Sequence, residues 1–132
     1  MIDAGRVSAR LGVDRYAQSF GIRLVEVGED FVKVGMTITE EQTNFHGATH
    51  GGVVFSLADC AFSLYANSYE PNASAIDTHM VFSAGTKPGD ELTATATEIH
   101  RGRTLATYRV LVHRSDQRVV GHFTGTVFIS QS

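Results

Sequence analysis

The chain has 132 residues, of which 42% are hydrophobic and 19% are charged, and these values are typical of one globular domain, residues 1–132, with a sizeable core. Its 11 Lys and Arg against 14 Asp and Glu leave a formal charge of −3, which gives no electrostatic basis for binding nucleic acid or an anionic membrane. The only cysteine is Cys60, no apolar run approaches the ~20 residues that span a bilayer, and the first residues lack a signal-peptide pattern. We therefore expect a cytoplasmic protein whose partner is a small molecule or another protein.

The predicted elements begin with a helical extension over residues 1–21. Residues 7–20 have the pattern of one or two short amphipathic helices, and Gly12 is the expected interruption between them. From Ile22 the apolar period changes to two, and the alternation over residues 32–38 predicts a half-buried strand. The polar, glycine-rich residues 40–52 predict a loop.

A helix is predicted from about Gly52 to Asn67, with apolar side chains around nearly its whole circumference, as in helices that are buried on most sides. Four strands follow, at residues 75–83, 91–100, 104–113 and 119–129, and the short breaks between them suit antiparallel hairpins. Small strand residues such as Gly121 and Gly125 would let the sheet curl closely around the helix. The pattern therefore predicts an α+β fold with one long central helix wrapped by a curved antiparallel sheet.

The polar exceptions on this helix lie along one side. They are Ser56, Asp59, Ser63 and Asn67, at spacings of three, four and four residues. The stripe either faces solvent or lines a crevice in which Asp59 reacts. The residues that precede the helix favour a crevice, because Gly47, Gly51 and Gly52 allow the backbone to approach a ligand. A helix N-terminus also offers unpaired N–H groups to a developing negative oxygen.

The spacing of Gly51 and Asp59 has a consequence for assembly. Eight residues of helix, at ~1.5 Å per residue, separate them by about 12 Å, whereas chemistry at one carbonyl needs a reach of about 3 Å. An active site that uses both therefore requires two copies of the chain, with the site across a two-fold interface. An Asp with its ordinary pKa of about 4 is ionised at neutral pH, so a role of Asp59 as base or nucleophile requires no tuning of its pKa.

A motif of defined spacing surrounds the helix. It is Asn44-x-x-Gly47-x-x-His50-Gly51-Gly52-x-x-Phe55-x-Leu57-Ala58-Asp59, followed by Ala61-Phe62, Asn67-Ser68, Phe82, Gly89-Asp90-x-Leu92-Thr93-Ala94, Gly102-Arg103 and Phe123-Thr124-Gly125-Thr126. Over about residues 22–129 the pattern resembles that of the hotdog-fold acyl-CoA thioesterases of the phenylacetate-degradation type. The resemblance implies hydrolysis of an aryl- or fatty acyl-CoA to free acid and CoA. It further implies a homotetramer built from dimers and no metal or organic cofactor.

The resemblance also implies roles for individual residues. The Gly51 amide would polarise the thioester carbonyl, and Asp59 of the facing subunit would act as general base or nucleophile. Asn44 and His50 would orient the attacking water or the substrate. The further substrate-binding candidates are Gly52, Ser56, Ser63, Thr78, Phe82, Lys87, Arg101 and Arg103. The three basic residues are candidates for holding the CoA phosphates, and solvated turn charges are the alternative interpretation.

Other patterns are weaker. His46 and His50 are four apart, as in helical zinc pairs, but glycine separates them and the sequence offers no third ligand, which disfavours a metal site. Cys60 points about 100° away from Asp59 on a helix and is typical of packing. The alternative functions are a hotdog-fold hydratase or dehydratase, which no Asp-x-Asn-x-x-His run supports, and a non-catalytic acyl-CoA-binding module.

Overall fold

The computed structural model describes residues 1–131. The helices are α1 (Ala4–Val13), α2 (Arg15–Ser19) and α3 (Gly51–Ala66), and a 3₁₀ turn covers Glu40–Gln42. The strands are β1 (Arg23–Val27), β2 (Val32–Thr37), β3 (Ala73–Phe82), β4 (Glu91–Arg101), β5 (Leu105–Arg114) and β6 (Val119–Ile129). They form one sheet in the order β1-β2-β4-β5-β6-β3, in which every neighbouring pair is antiparallel. The curved sheet with its central helix confirms the predicted fold class.

The core lies between α3 and the sheet. The ring of Phe62 packs 5.7 Å from that of Tyr108 and 5.3 Å from that of Phe123, centroid to centroid, and all three side chains are fully buried. A Cβ on Gly125 would lie only 2.8 Å from the Phe62 ring, so glycine is required for this close approach of strand to helix. The predicted role of small strand residues is confirmed at this position.

The two N-terminal helices are divided at Asp14 and not at Gly12, so the predicted interruption was wrong by two residues. Glycine costs a helix only about 1 kcal/mol relative to alanine, and α1 includes Gly12 in its last turn. The Asp14 side chain accepts a hydrogen bond from the Ala17 N–H at 3.0 Å. This N-cap starts α2 and determines where the chain changes direction.

Strand β3 forms one edge of the sheet. It pairs with β6 on one side only, so its other side presents a row of unpaired backbone groups over ten residues. The side chains of Ile76, Val81 and Phe82 on this strand are exposed. A long, apolar sheet edge of this kind is suited to pairing with another strand.

None of the three α-helices in residues 1–131 is both long enough and apolar enough to cross a membrane.

Candidate active site

His50 caps the N-terminus of α3. Its Nδ1 accepts a hydrogen bond from the Gly52 N–H at 3.0 Å, and its own backbone N–H donates to the Gln42 carbonyl oxygen at 2.7 Å. Because Nδ1 is an acceptor, the neutral ring carries its proton on Nε2. His50 is thus a rigid helix cap with one N–H left to donate.

The Gly51 amide is the first of α3 and donates to no acceptor among residues 1–131. Phe82, at the end of β3, lies against it, since a Cβ on Gly51 would be 3.2 Å from the Phe82 Cζ. Thr78 lies on the same face of β3 as Phe82, four residues earlier. An unpaired N–H at the positive end of a helix, with an apolar ring beside the same residue, is suited to polarising a carbonyl oxygen.

Asn44 organises the loop that leads to the cap. Its Oδ1 accepts from the backbone N–H of His46 at 2.9 Å and of Ala48 at 3.2 Å, so only its amide nitrogen can contact a ligand. Gly47 has a φ of +78° and a Cβ there would meet nothing within 4 Å. Gly47 therefore serves a positive-φ turn, and its approach to a ligand stays a prediction.

Asp59 lies half-buried in the middle of α3, and its carboxylate accepts no hydrogen bond from any other residue within 1–131. Burial raises the pKa of this carboxyl above its ordinary value, and the negative charge of Asp14 raises it further. Desolvation and a neighbouring like charge both disfavour the ionised form of this carboxyl. A desolvated carboxylate without partners is a strengthened base and is typical of functional sites.

The rest of the polar stripe is not a simple solvent-facing surface. Ser56 is buried, and its Oγ donates to the Gly52 carbonyl oxygen at 2.8 Å and lies 2.9 Å from the Tyr16 hydroxyl. Ser63 is exposed. Asn67 caps the end of α3, where its side chain bonds the backbone of Ala73 in both directions. Ser56 and Asn67 are therefore tied internally, whereas Asp59 and Ser63 remain accessible to a ligand.

The structure does not bring the three basic candidates together. Lys87 precedes β4 and lies 3.6 Å from Asp90, whereas Arg101 and Arg103 lie at the other end of that strand, about 33 Å away at 3.3 Å per residue. The Arg101 guanidinium sits 4.3 Å from the Tyr69 ring centroid and donates to the Tyr108 hydroxyl at 3.1 Å, with only 16% of its side chain exposed. Within one chain these residues cannot hold one phosphate group.

The structure also shows the surroundings of Cys60 and of His46, the candidates for a nucleophile and a metal ligand. Cys60 is buried, and burial is the main cause that raises its pKa to about 12, so the thiol stays protonated at neutral pH. His46 is exposed with its ring 4.3 Å from that of Phe45. In residues 1–131 no three His, Cys, Asp or Glu side chains are grouped to hold a metal ion.

Two neighbours of the site were not predicted. Asp14 acts on the pKa of Asp59, and the Tyr16 hydroxyl meets Ser56. Asp14 caps α2 and Tyr16 lies on it, and the amphipathic pattern of residues 7–20 predicts a helix without indicating which element it packs against. The sequence holds no signal that would have placed α2 beside the polar side of α3.

Gly51 and Asp59 both lie on α3, as predicted, and eight residues separate them, which is about 12 Å of helix. Four surface clefts of the described chain are lined by neither residue. The largest of these four has a volume of 780 Å³ and is lined by Gln18, Ser19, Phe20, Gly21, Thr37, Thr39, Glu41 and Gln42. Within one chain, none of these four clefts brings Gly51 and Asp59 together.

A six-stranded antiparallel sheet around one long helix defines the hotdog fold. Residues 46–121 match the model of the thioesterase superfamily, and the chain belongs to this superfamily. Its type is that of PaaI. The acyl-coenzyme A thioesterase PaaI of Escherichia coli (strain K12) is 37% identical over 112 residues, covering 85% of this chain and 80% of that protein.

Solved structures agree with this assignment. The E. coli PaaI protein from the phenylacetic acid degradation operon superimposes with a TM-score of 0.92 at 33% identity, covering 97% of this chain and 93% of that one. The protein smu.793 of Streptococcus mutans UA159, bound to acetyl-CoA, gives a TM-score of 0.78 at 26% identity, covering 83% and 88%. These findings show that the chain is a thioester hydrolase of the hotdog fold.

Proposed function

We propose that this protein is an acyl-CoA thioesterase that hydrolyses an aryl- or fatty acyl-CoA to the free acid and CoA. The observation that carries the proposal is the unpaired Gly51 amide under Phe82, on the same helix as the unpartnered carboxylate of Asp59. The name of the E. coli relative and the acetyl-CoA bound to the S. mutans protein support a CoA thioester as substrate.

The proposed chemistry uses one group from each of two subunits. The Gly51 N–H donates to the thioester carbonyl oxygen, and one such donor stabilises the developing oxyanion by about 2.7–4 kcal/mol. Asp59 of the facing subunit takes a proton from the attacking water, or attacks the carbonyl carbon to form an anhydride that water then opens. In the general-base route the C–S bond breaks as the tetrahedral intermediate collapses, and the proton passes from Asp59 to the departing CoA thiolate. In the anhydride route the C–S bond breaks when the anhydride forms, and the water that opens the anhydride supplies the proton that the thiolate takes up. His50 and Asn44 would orient the water or substrate through the Nε2–H and the side-chain amide N–H.

We propose that the dimer forms along β3. Antiparallel pairing of two β3 edges across a two-fold axis would satisfy the exposed backbone and cover the apolar side chains on this strand. It would also bring the Phe82 end of one strand beside the Ala73 end of its twin, and so the start of one α3 towards the other. A homotetramer would then be a pair of such dimers.

Introducing a charge on the β3 edge tests whether the dimer forms through this strand. We expect Ile76→Lys, at a side chain that is 60% exposed on β3, to place like charges on both paired edges and to shift the dimer to monomer. Hydrolysis should fall at least about a hundredfold if the site needs both subunits. Light scattering coupled to size exclusion gives the mass. Ile99→Lys is the control, because Ile99 is 58% exposed on β4, which has neighbours on both sides, and it should leave the dimer intact.

Release of free thiol tests the activity itself. We expect the wild-type protein to cleave at least one member of a panel of phenylacetyl-, benzoyl-, hexanoyl- and dodecanoyl-CoA with kcat/KM of at least about 10⁴ M⁻¹s⁻¹. Tight binding without thiol release would instead support an acyl-CoA-binding module. Hydration of an enoyl-CoA without thiol release would support the hydratase.

The pH dependence of hydrolysis should report on Asp59. The carboxyl must be ionised to act, and because burial and Asp14 raise its pKa, the acid limb of kcat/KM should lie above the pH of about 4 expected for an ordinary Asp. Asp14→Asn keeps a good N-cap for α2 but removes the like charge, so the acid limb should move to lower pH. Asp3→Asn is the matched control, since Asp3 caps α1 in the same way, and it should leave the limb in place.

A further inference from the structure

Helix α2 is tied to the polar side of α3 by a short chain of hydrogen bonds. The Tyr16 hydroxyl lies 2.9 Å from the Ser56 Oγ, and the Ser56 Oγ donates to the Gly52 carbonyl oxygen at 2.8 Å. A serine hydroxyl has a single hydrogen, so the Tyr16 phenol must donate to Ser56. The tip of the Tyr16 side chain is therefore fixed over the first turn of α3.

The residue Tyr16 is nevertheless 62% exposed. Its aromatic neighbour is Phe20, with the two centroids 4.8 Å apart. Ser56, to which the phenol is tied, comes three residues before Asp59, and such positions have Cβ atoms about 5–6 Å apart on a helix surface. Asp14, two residues before Tyr16, is near enough to Asp59 to disfavour its charge. Tyr16 thus presents exposed aromatic surface on the side of α3 that carries Ser56 and Asp59.

We propose that Tyr16 is a specificity-determining residue whose ring walls the acyl pocket and restricts it to aryl and short acyl groups. The inference rests on the proposed function, which places the thioester carbon between Gly51 and the facing Asp59. An acyl group attached to that carbon extends over the side chains that flank the polar stripe. A ring fixed at its phenol is a rigid apolar surface, so it can stack against an aryl group and obstruct a long chain.

Two variants separate the contribution of the Tyr16 ring from that of its hydrogen bond to Ser56. Tyr16→Ala removes both, and Tyr16→Phe removes only the hydrogen bond to Ser56. We expect the ratio of kcat/KM for dodecanoyl-CoA to that for phenylacetyl-CoA to rise at least about tenfold in Tyr16→Ala and about threefold in Tyr16→Phe, the scale of a few methylenes in a pocket. Val13→Ala, at a side chain 79% exposed on α1, should leave the ratio within about twofold.

Binding provides a second measurement that needs no turnover. Calorimetric titration with dodecyl-CoA and phenethyl-CoA thioethers should show the same change in relative affinity. If the wild type hydrolyses acyl-CoA but Tyr16→Ala leaves both ratios unchanged, the inference about Tyr16 is overturned and the proposed function stands. An equal loss towards both acyl groups would make Tyr16 an anchor of α2 alone and would also overturn it. If the wild type neither binds the thioethers nor releases thiol, both the proposed function and the inference about Tyr16 are overturned.

Discussion

Asp59→Ala should lower kcat for acyl-CoA hydrolysis by at least about a hundredfold, with a smaller change in substrate affinity. Asp59 is the only carboxylate on the polar side of α3, and it accepts no hydrogen bond in the described chain that would give it a structural purpose. Loss of the base or nucleophile removes an interaction made in the transition state, so kcat carries the effect. Single-turnover release of thiol, with a separate measurement of thioether affinity, resolves the two quantities.

The stability of Asp59→Asn tests whether unfolding causes the loss of activity. The raised pKa of Asp59 means that the folded protein binds a proton more tightly than the unfolded chain, so stability falls as pH rises through this pKa. At neutral pH the ionised carboxylate therefore costs stability, and Asp59→Asn should melt at the same temperature as wild type or a few degrees higher. It should be as inactive as Asp59→Ala. Asp30→Ala, at an exposed carboxylate between β1 and β2, should keep full activity, and undiminished turnover in either Asp59 variant would remove this residue from the mechanism.

The fold was predictable because its main signals are local. The period-two pattern of β2 and the apolar circumference of α3 follow directly from burial on one face and on most faces, respectively. The start of α3 differs by one residue from the prediction, because His50 caps the helix with a ring nitrogen and not with one of the usual hydroxyl or carboxylate groups. The break between α1 and α2 falls at Asp14 because its side chain caps the second helix, whereas a glycine such as Gly12 is tolerated in the last turn of α1 at a cost of about 1 kcal/mol.

The electrostatics of the site could not be predicted in the same way. Asp14 and Asp59 are 45 positions apart in the sequence, and only the packing of α2 against α3 makes them neighbours. Phe82 covers Gly51 for the same kind of reason, since β3 returns beside the start of the helix. Arg101 was a candidate for phosphate binding because it is basic and near a turn, yet the acceptor of its N–H is Tyr108, on the adjacent strand. Spacing alone reveals which residues share a helix face, but not which remote groups meet them.

The contribution of the Gly51 amide can be isolated because this residue occupies the first position of α3. Proline is well tolerated there, since it lacks only an N–H that is unpaired in the described chain. His50, with φ −64° and ψ 134°, already has the conformation favoured before proline. We expect Gly51→Pro to lower kcat/KM by about 10²–10³. Gly51→Ala is the matched control, because it adds the same Cβ against Phe82 but keeps the N–H, and it should lose far less.

Combining the two defective chains tests whether the site is shared. A homodimer of Gly51→Pro lacks the amide in both sites, and one of Asp59→Ala lacks both carboxylates. In a mixed dimer one site has both defects and the other has neither, provided that the amide and carboxylate come from different subunits. Chains with different tags, co-expressed and purified over both tags, should therefore recover up to about half of wild-type activity. Mixed dimers as inactive as their parents would place both groups of each site in one chain, which the 12 Å separation along α3 makes physically unfavourable.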